Sequence, residues 1–374
     1  MRIGIEAQRL FRPKKHGMEI VTLEIVRQLA SIDLHNDYEI FIAADTDVCV
    51  HNKNSVHINL LPHRFYPLWE QFSLPKAAQL KNVDLLHCTA NTAPLWYNKP
   101  MVVTIHDVIY LETMDFSGSA YQNFGNLYRR FIVPRIAKKA KRIITVSEYA
   151  KKIISKRLGI AENKIDVVYN GVHPSYKRIT DVNQLISVSK KYNLPENFLL
   201  HFGNTASRKN TTGVLKAYKL YKNNNADAIP LVITGIDRNL LSKFLQTVKA
   251  EELADQIILP GYIAAEDLPA LYNLAHLFLY PSLNEGFGMP VIEAMACGTP
   301  VITSTVTSLP EVAGNAAMLV DPSNEKEICE AIETLTSQQL LFNTLQMQGF
   351  INAQRFSWET AARKTIAIYK EIVA

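Results

Sequence analysis

The chain has 374 residues, 48% of them hydrophobic and 20% charged, an ordinary globular composition at a length where one core stops growing, so two domains are expected. Four scattered cysteines (Cys49, Cys88, Cys297, Cys329) without a CxxC pair argue against a zinc site or disulfide scaffold and for a reducing cytosol. The net charge of +5 is uneven: residues 1–178 hold 25 Lys and Arg against 16 Asp and Glu, the remainder 15 against 19.

In chain order, the N-terminal MRIGIEAQRL carries no secretory h-region, and no run of ~18 apolar residues follows, so neither a leader nor a spanning helix is expected. Short apolar, β-branched runs predict strands at Arg2–Glu6, Tyr38–Ala43, Val56–Leu61, Val83–Cys88, Met101–His106, Arg142–Val146 and Ile165–Tyr169. Helix-period segments, such as Gly17–Ala30 and Tyr149–Leu158, fall between them. Strands apolar on both faces, alternating with helices, predict a parallel α/β sheet. The basic stretch 129–157 admits a nucleic-acid, an anionic-membrane or a phosphate-bearing partner, and equally a solvated helix face.

Residues 171–197 are polar, lack a strand and read as a linker. The pattern then restarts, with strands expected at Phe198–Phe202, Leu231–Thr234, Gln256–Leu259, Leu277–Tyr280, Val301–Thr303 and Ala317–Val320. Helices are expected at Thr212–Lys222, Leu268–Leu274, Val291–Ala296 and Lys326–Thr334, and an amphipathic tail helix with Ser357 as N-cap closes the chain. The domains are therefore read as 1–180 and 190–357, with helix 358–374 added. Two doubly wound domains in series face across a cleft at the carboxyl ends of their strands, where ligands of such sheets bind.

The candidate site residues follow strands. After Leu277–Tyr280, Glu285 and Glu293 flank a turn with Gly286, Phe287, Gly288 and Met289, and Pro290 suits the first helical position. The two glycines let the backbone approach a ligand, and the helix start favours an anion. Carboxylates repel a phosphate but accept from sugar hydroxyls, so the order is hydroxyl, phosphate, hydroxyl: a nucleotide sugar. A plain βα turn would leave the same pattern, and no GxGxxG fingerprint for a dinucleotide occurs. After Phe198–Phe202, Gly203 permits a sharp turn, and Arg208 and Lys209 stand before a helix start, opposing its dipole unless an anion lies between them. Such a pair neutralises a departing diphosphate; two solvated side chains is the plainer reading. His106, with Asp107, ends a buried strand and titrates or donates near neutral pH, or simply bonds a loop. Gly17 opens the first helix and admits a phosphate or substrate. Asp45-Thr46-Asp47 is a DxD after an edge-like strand and reads as a surface loop. His35, His51, His57, His63 and His87 lack ligand spacing, so no metal and no cofactor are expected. The sequon at Asn210 reads as coincidence.

Together these residues resemble glycosyltransferase family 4, the retaining GT-B enzymes, over essentially the whole chain. The likeness is densest in FGNTASRKN, LVITG, LPGYI and PSLNEGFGMPVIEAMACGTPVITSTVTSLPEVAGNAAMLVDP. The resemblance implies that Glu285 contacts the donor sugar and Glu293 the ribose. It implies that backbone groups of Gly286–Met289 hold diphosphate and sugar, that Arg208 and Lys209 bind the pyrophosphate, and that His106 lies near the donor sugar. Gly17 matches a glycine-rich loop that usually has a second glycine, and Tyr262 and Ile263 fall at the base pocket. It further implies a metal-independent, retaining hexosyl transfer to a glycan or lipid-linked glycan. RFYPLWEQFSLPKAA and LLHCTANTAPL resemble stretches of bacterial mannosyltransferases of surface polysaccharides, including lipopolysaccharide. The donor is accordingly read as GDP-mannose, with UDP- and dTDP-sugars open. No nucleic-acid partner is expected; the place is the cytoplasm, peripherally at the inner face of an anionic membrane. A sugar-nucleotide epimerase or phosphorylase on the same scaffold, and a non-catalytic nucleotide-sugar-binding subunit of a polysaccharide complex, are the alternatives.

Overall fold

A computed structural model describes residues 1–53, 55–62, 65–111 and 120–373; His63, Arg64 and Ala374, which figure in the expectations above, lie outside them. The chain divides into two compact units, Met1–Gly171 with Ser357–Ala374, and Val172–Phe356. Each expected strand forms, with ends displaced by at most two residues.

The first unit holds a seven-stranded, all-parallel sheet in the order β3-β2-β1-β4-β5-β6-β7. Its strands are β1 Arg2–Glu6, β2 Asp37–Ala43, β3 Val56–Leu61, β4 Leu85–Cys88, β5 Met101–Thr104, β6 Arg142–Thr145 and β7 Ile165–Val167. β2 lies between β1 and β3, so the DxD follows an interior strand, not an edge. β5 stops two residues before His106 because the His106 backbone N–H leaves the ladder for the Asn91 side-chain oxygen, at 2.7 Å. Ile3, Ile5, Leu85, Leu86, Val102 and Val103 are fully buried, and each side chain so buried contributes about 1.5–3 kcal/mol. Burial on both faces is why these strands read as unbroken apolar runs.

The second unit holds six parallel strands in the order β10-β9-β8-β11-β12-β13. They are β8 Leu199–Phe202, β9 Leu231–Thr234, β10 Ile257–Ile258, β11 Leu277–Tyr280, β12 Val301–Ser304 and β13 Met318–Val320.

Three readings change. The basic stretch 129–157 is not one helix face: it spans the end of helix Ala120–Lys139, the buried β6, and helix Glu148–Leu158. Residues 171–197 carry helix Val182–Lys191, whose N-cap Asp181 accepts from Asn183 N–H at 2.9 Å. Polar composition hid a helix that packs through Val188 and, just beyond it, Tyr192 and Leu194. Helix Met289–Cys297 begins one residue before Pro290, which takes the second helical position, also free of an intrahelical N–H partner.

The tail helix Trp358–Val373 is capped by the Ser357 hydroxyl, 3.4 Å from Thr360 N–H. It packs in the first unit through buried Tyr369, whose hydroxyl lies 2.6 Å from His87 Nδ1.

Candidate active site

In the second sheet β8 and β11 are neighbours, but the chain leaves β8 toward β9 and β11 toward β12. Their diverging crossovers leave a crevice at the carboxyl ends, where ligands of doubly wound sheets sit. Loops 203–210 and 281–288 meet there. Leu283 N–H donates to the Arg208 carbonyl at 2.7 Å. Asn210, in the left-handed region at φ 58°, donates its amide to the carbonyls of Pro281 (2.9 Å) and Pro322 (2.7 Å). The Asn210 sequon therefore lies in the interior.

Glu285 is buried, and both cations converge on it. Lys209 Nζ lies 2.6 Å from Oε1, and Arg208 Nη1 lies 3.3 Å from Oε2. The Tyr280 hydroxyl accepts from Lys209 Nζ at 2.7 Å and donates to Glu285 Oε1 at 2.9 Å. The anion expected between Arg208 and Lys209 is thus supplied by Glu285 itself. Burial, opposed by the Glu285 charge, lowers the Lys209 pKa. Removing one member of such a buried pair typically costs 3–5 kcal/mol, because its partner is left uncompensated.

Glycine is needed at two places here for different reasons. Gly288 sits at φ 110°, and a Cβ there would come within 2.6 Å of Leu309. Gly203 makes no positive-φ turn; a Cβ would instead strike Ile233 at 2.7 Å, so close packing, not the sharp turn expected, fixes that residue. The 281–288 loop is pinned by hydroxyls that sequence reasoning passed over. Ser308 donates to the carbonyls of Glu285 (3.0 Å) and Phe287 (2.8 Å), and Thr303 to that of Tyr280 (2.9 Å). The signal was the hydroxyl-rich run Thr303-Ser304-Thr305 with Thr307 and Ser308.

Glu293 occupies a different environment. It accepts from the Tyr272 hydroxyl at 3.1 Å, and burial pushes its carboxyl up to about 7. Met289 opens its helix half-buried, and Phe287 is buried edge-on to Phe356 at 5.6 Å. Tyr262 is exposed while Ile263 is buried.

In the first unit, His106 is buried and its pKa is lowered, chiefly by desolvation. Its Nε2 lies 2.9 Å from the Thr89 carbonyl, which can only accept, so Nε2 carries the proton. That proton goes to a loop carbonyl, as in the plainer of the two readings, and leaves Nδ1 as the acceptor of the neutral ring. Gly17 begins helix Gly17–Ile32, with His16 N–H capped by Glu19 at 3.0 Å; a Cβ on Gly17 would meet nothing within 4 Å. At this sheet's own switch point, between β1 and β4, lies Glu6, which the sequence reading did not single out. It is buried, accepts from the N–H groups of Gln8 (3.0 Å) and Thr89 (3.3 Å), and is pushed up to about 7 by burial.

Asp47 pairs with Lys15, and Asp45 is exposed. Among the described residues, no three His, Cys, Asp or Glu side chains gather as a metal would require, and no helix is long and apolar enough to cross a membrane.

Comparison with known proteins bears on this geometry. Residues 16–176 match the family described as Glycosyltransferase Family 4, and residues 182–355 match Glycosyl transferases group 1. The chain is 34% identical over 232 residues to O-antigen chain mannosyltransferase B of Escherichia coli, covering 62% of this chain and 61% of that protein. It is 29% identical over 321 residues to O-antigen chain mannosyltransferase RfbU of Salmonella typhimurium, covering 84% of each. The crystal structure of Anabaena HepE in complex with UDP and glucose shares the fold at 18% identity, with a TM-score of 0.76 over 99% of this chain and 100% of that one. Two parallel-sheet domains of the GT-B class, matched by the two family descriptions over nearly their full length, show that the chain belongs to the family-4 glycosyltransferases.

Proposed function

We propose that the protein transfers a hexose, mannose from GDP-mannose, to a glycan or lipid-linked glycan acceptor with retention of configuration and without a metal ion. The observation that carries this reading is the Arg208–Lys209–Glu285–Tyr280 cluster at the switch point of the second sheet. A diphosphate entering there competes with Glu285 for the two cations. Lys209, already desolvated, pairs more strongly with a phosphate than it would in water. Glu285 released from the cations keeps Tyr280 as its donor and turns an oxygen to the sugar's hydroxyls. Gly288, held open by its backbone, lets the chain approach the diphosphate closely. Glu293 takes the ribose hydroxyls, with Tyr272 steadying its other side, and Tyr262 with Ile263 borders the base.

In the transfer, the bond from the anomeric carbon to the phosphate oxygen breaks as the acceptor oxygen bonds to that carbon on the same face. The departing phosphate oxygen takes the acceptor's proton, and Arg208 and Lys209 stabilise the charge that develops. The names of the relatives support mannose and the O-antigen context.

The place of work is the cytoplasmic face of an anionic membrane. In support, Phe65, Leu68 and Phe72 form one exposed stripe and Phe124, Leu127 and Phe131 another, joined by the Phe65 and Phe124 rings at 5.7 Å. Exposed Arg135, Lys138 and Lys139 continue the second helix and complement acidic headgroups.

A thermal-shift screen of nucleoside diphosphates and their sugars, followed by transfer assays, tests the reading. GDP and GDP-mannose are expected to stabilise the chain most, and EDTA to leave transfer unchanged. Loss of activity in EDTA with rescue by manganese overturns metal independence; an epimerised sugar nucleotide formed without acceptor overturns the transferase. An inverted anomer in the product overturns retention.

A further inference from the structure

The residue after Lys209 is as constrained as the lysine itself. Asn210 is buried and holds φ 58° and ψ 34°, in the left-handed region. Its amide nitrogen spans carbonyls of two separate loops: Pro281, which follows β11, at 2.9 Å, and Pro322, two residues beyond β13, at 2.7 Å. Few side chains fit such a place. Glycine accepts the backbone but has no amide. Aspartate tolerates it but would turn a carboxylate oxygen on two carbonyls. Asparagine both enters the left-handed region and donates twice. A second residue serves the same amide. Gly213 lies in the first turn of helix Thr211–Asn224. A Cβ there would come within 2.4 Å of the Asn210 side-chain oxygen and 2.7 Å of its amide nitrogen. Relieving that overlap means swinging the amide off its two carbonyls. Alanine is the better helix former, so the helix gives up propensity where the amide needs room.

We propose that Asn210 is a positioning residue for the diphosphate site: its tie to Pro281 and Pro322 sets where Lys209 stands, and Gly213 keeps the space that the tie needs. The inference rests on the reading of Arg208 and Lys209 as that site and deepens it. The Arg208 end of the loop has a tie of its own, from Leu283 N–H to the Arg208 carbonyl at 2.7 Å. The Lys209 end has the Asn210 amide. Within the loop, Lys209 N–H bonds the Ala206 carbonyl and Asn210 N–H the Ser207 carbonyl, both at 2.9 Å. Those local bonds shape the turn but do not place it against the neighbouring loops. Placement matters because Lys209 is largely withdrawn from water, where the attraction between charges is stronger and changes steeply with distance. A shifted Lys209 therefore weakens its hold on the outer phosphate of a nucleoside diphosphate and spares the nucleoside.

The test is calorimetry on the full chain with GDP and GMP, and with UDP and UMP, for wild type, Asn210→Gly, Gly213→Ala and the double variant, each below its melting transition. Wild type is expected to bind one diphosphate about tenfold or more tightly than its monophosphate, the effect of hydrogen bonds to a charged group. In Asn210→Gly, which keeps the left-handed backbone, that ratio should fall about fivefold, the effect of losing one to two hydrogen bonds. Gly213→Ala should lower it by a similar factor even though alanine favours the helix. With the amide already gone, in the Asn210→Gly background, Gly213→Ala should change the ratio by less than about twofold. A general loosening of the fold would lower diphosphate and monophosphate affinity alike and leave the ratio where it was. An unchanged ratio in Asn210→Gly or in Gly213→Ala, or an equal loss from Gly213→Ala with and without Asn210, overturns the proposal. Should Asn210→Gly not fold, the ratio in Gly213→Ala decides alone. The underlying reading fails separately: wild type binding neither diphosphate more tightly than its monophosphate removes the diphosphate site, and the role of Asn210 with it.

Discussion

The two sheets share a topology around their first four strands, and each places a buried glutamate at the point where the crossovers diverge. At the first, Glu6 rests on backbone N–H groups, and burial drives it to hold its proton until about pH 7. At the second, Glu285 is equally buried but takes two cations and a tyrosine hydroxyl. The comparison teaches that the fold chooses where an acid is buried, while its neighbours choose its chemistry. Backbone donors at a buried position leave an acid that keeps its proton to about pH 7; fixed cations make a charge cluster.

The sharpest way to break this contrast is to remove the cation. Lys209→Ala should lower turnover by two orders of magnitude or more, since losing one charge-stabilising group costs about 3–4 kcal/mol. Steady-state kinetics with wild-type rates would make the second glutamate no different in kind from the first.

The first site is tested through stability. The folded Glu6 pKa lies above its ordinary value of 4.5, at about 7. Its contribution is therefore fully present below about pH 4.5 and lost as pH rises through 7, by roughly 3 kcal/mol. The melting temperature of Glu6→Gln should fall less between pH 5 and 8 than that of wild type; equal falls would show that Glu6 ionises freely.

A finer cut separates Tyr280 from the cations it touches. Tyr280→Phe keeps the ring and deletes the hydroxyl bridge, so turnover should drop about tenfold, the cost of a hydrogen bond to charged groups. Its pH–rate profile should also shift, because Lys209 loses a partner, while nucleotide affinity stays within about twofold. A profile superimposable on wild type would reduce Tyr280 to packing.

The smallest effect is expected at Glu293, which shares a raised pKa of about 7 with Glu6 and a tyrosine donor with Glu285. Glu293→Gln should weaken GDP binding about threefold to tenfold by calorimetry, one to two hydrogen bonds' worth. Unchanged affinity would remove the ribose contact.

Much of this was legible in advance. The strands showed through because burial on both faces writes a continuous apolar run, and Arg208, Lys209, Glu285 and Glu293 stood out because charge beside a strand end is conspicuous. Helix Val182–Lys191 escaped notice as a linker, and Ala120–Lys139 showed only as one helix-face reading of a basic patch, since polar surfaces mask a packed face. Glu6 went unremarked as the last residue of an otherwise apolar strand, and Gly203 was credited with a turn it does not make.

Local sequence thus determined the order of elements, the all-parallel sheets they pair into, and the residue types present at each strand end, because these depend on periodicity and backbone preference over a few residues. Only tertiary structure decided that Lys209 meets Glu285 across 76 positions, that Asn210 reaches Pro322 across 112, and that Tyr369 reaches His87 across 282. Those pairings depend on which strands become neighbours, and burial then fixes whether a carboxylate there holds its proton or a partner's charge.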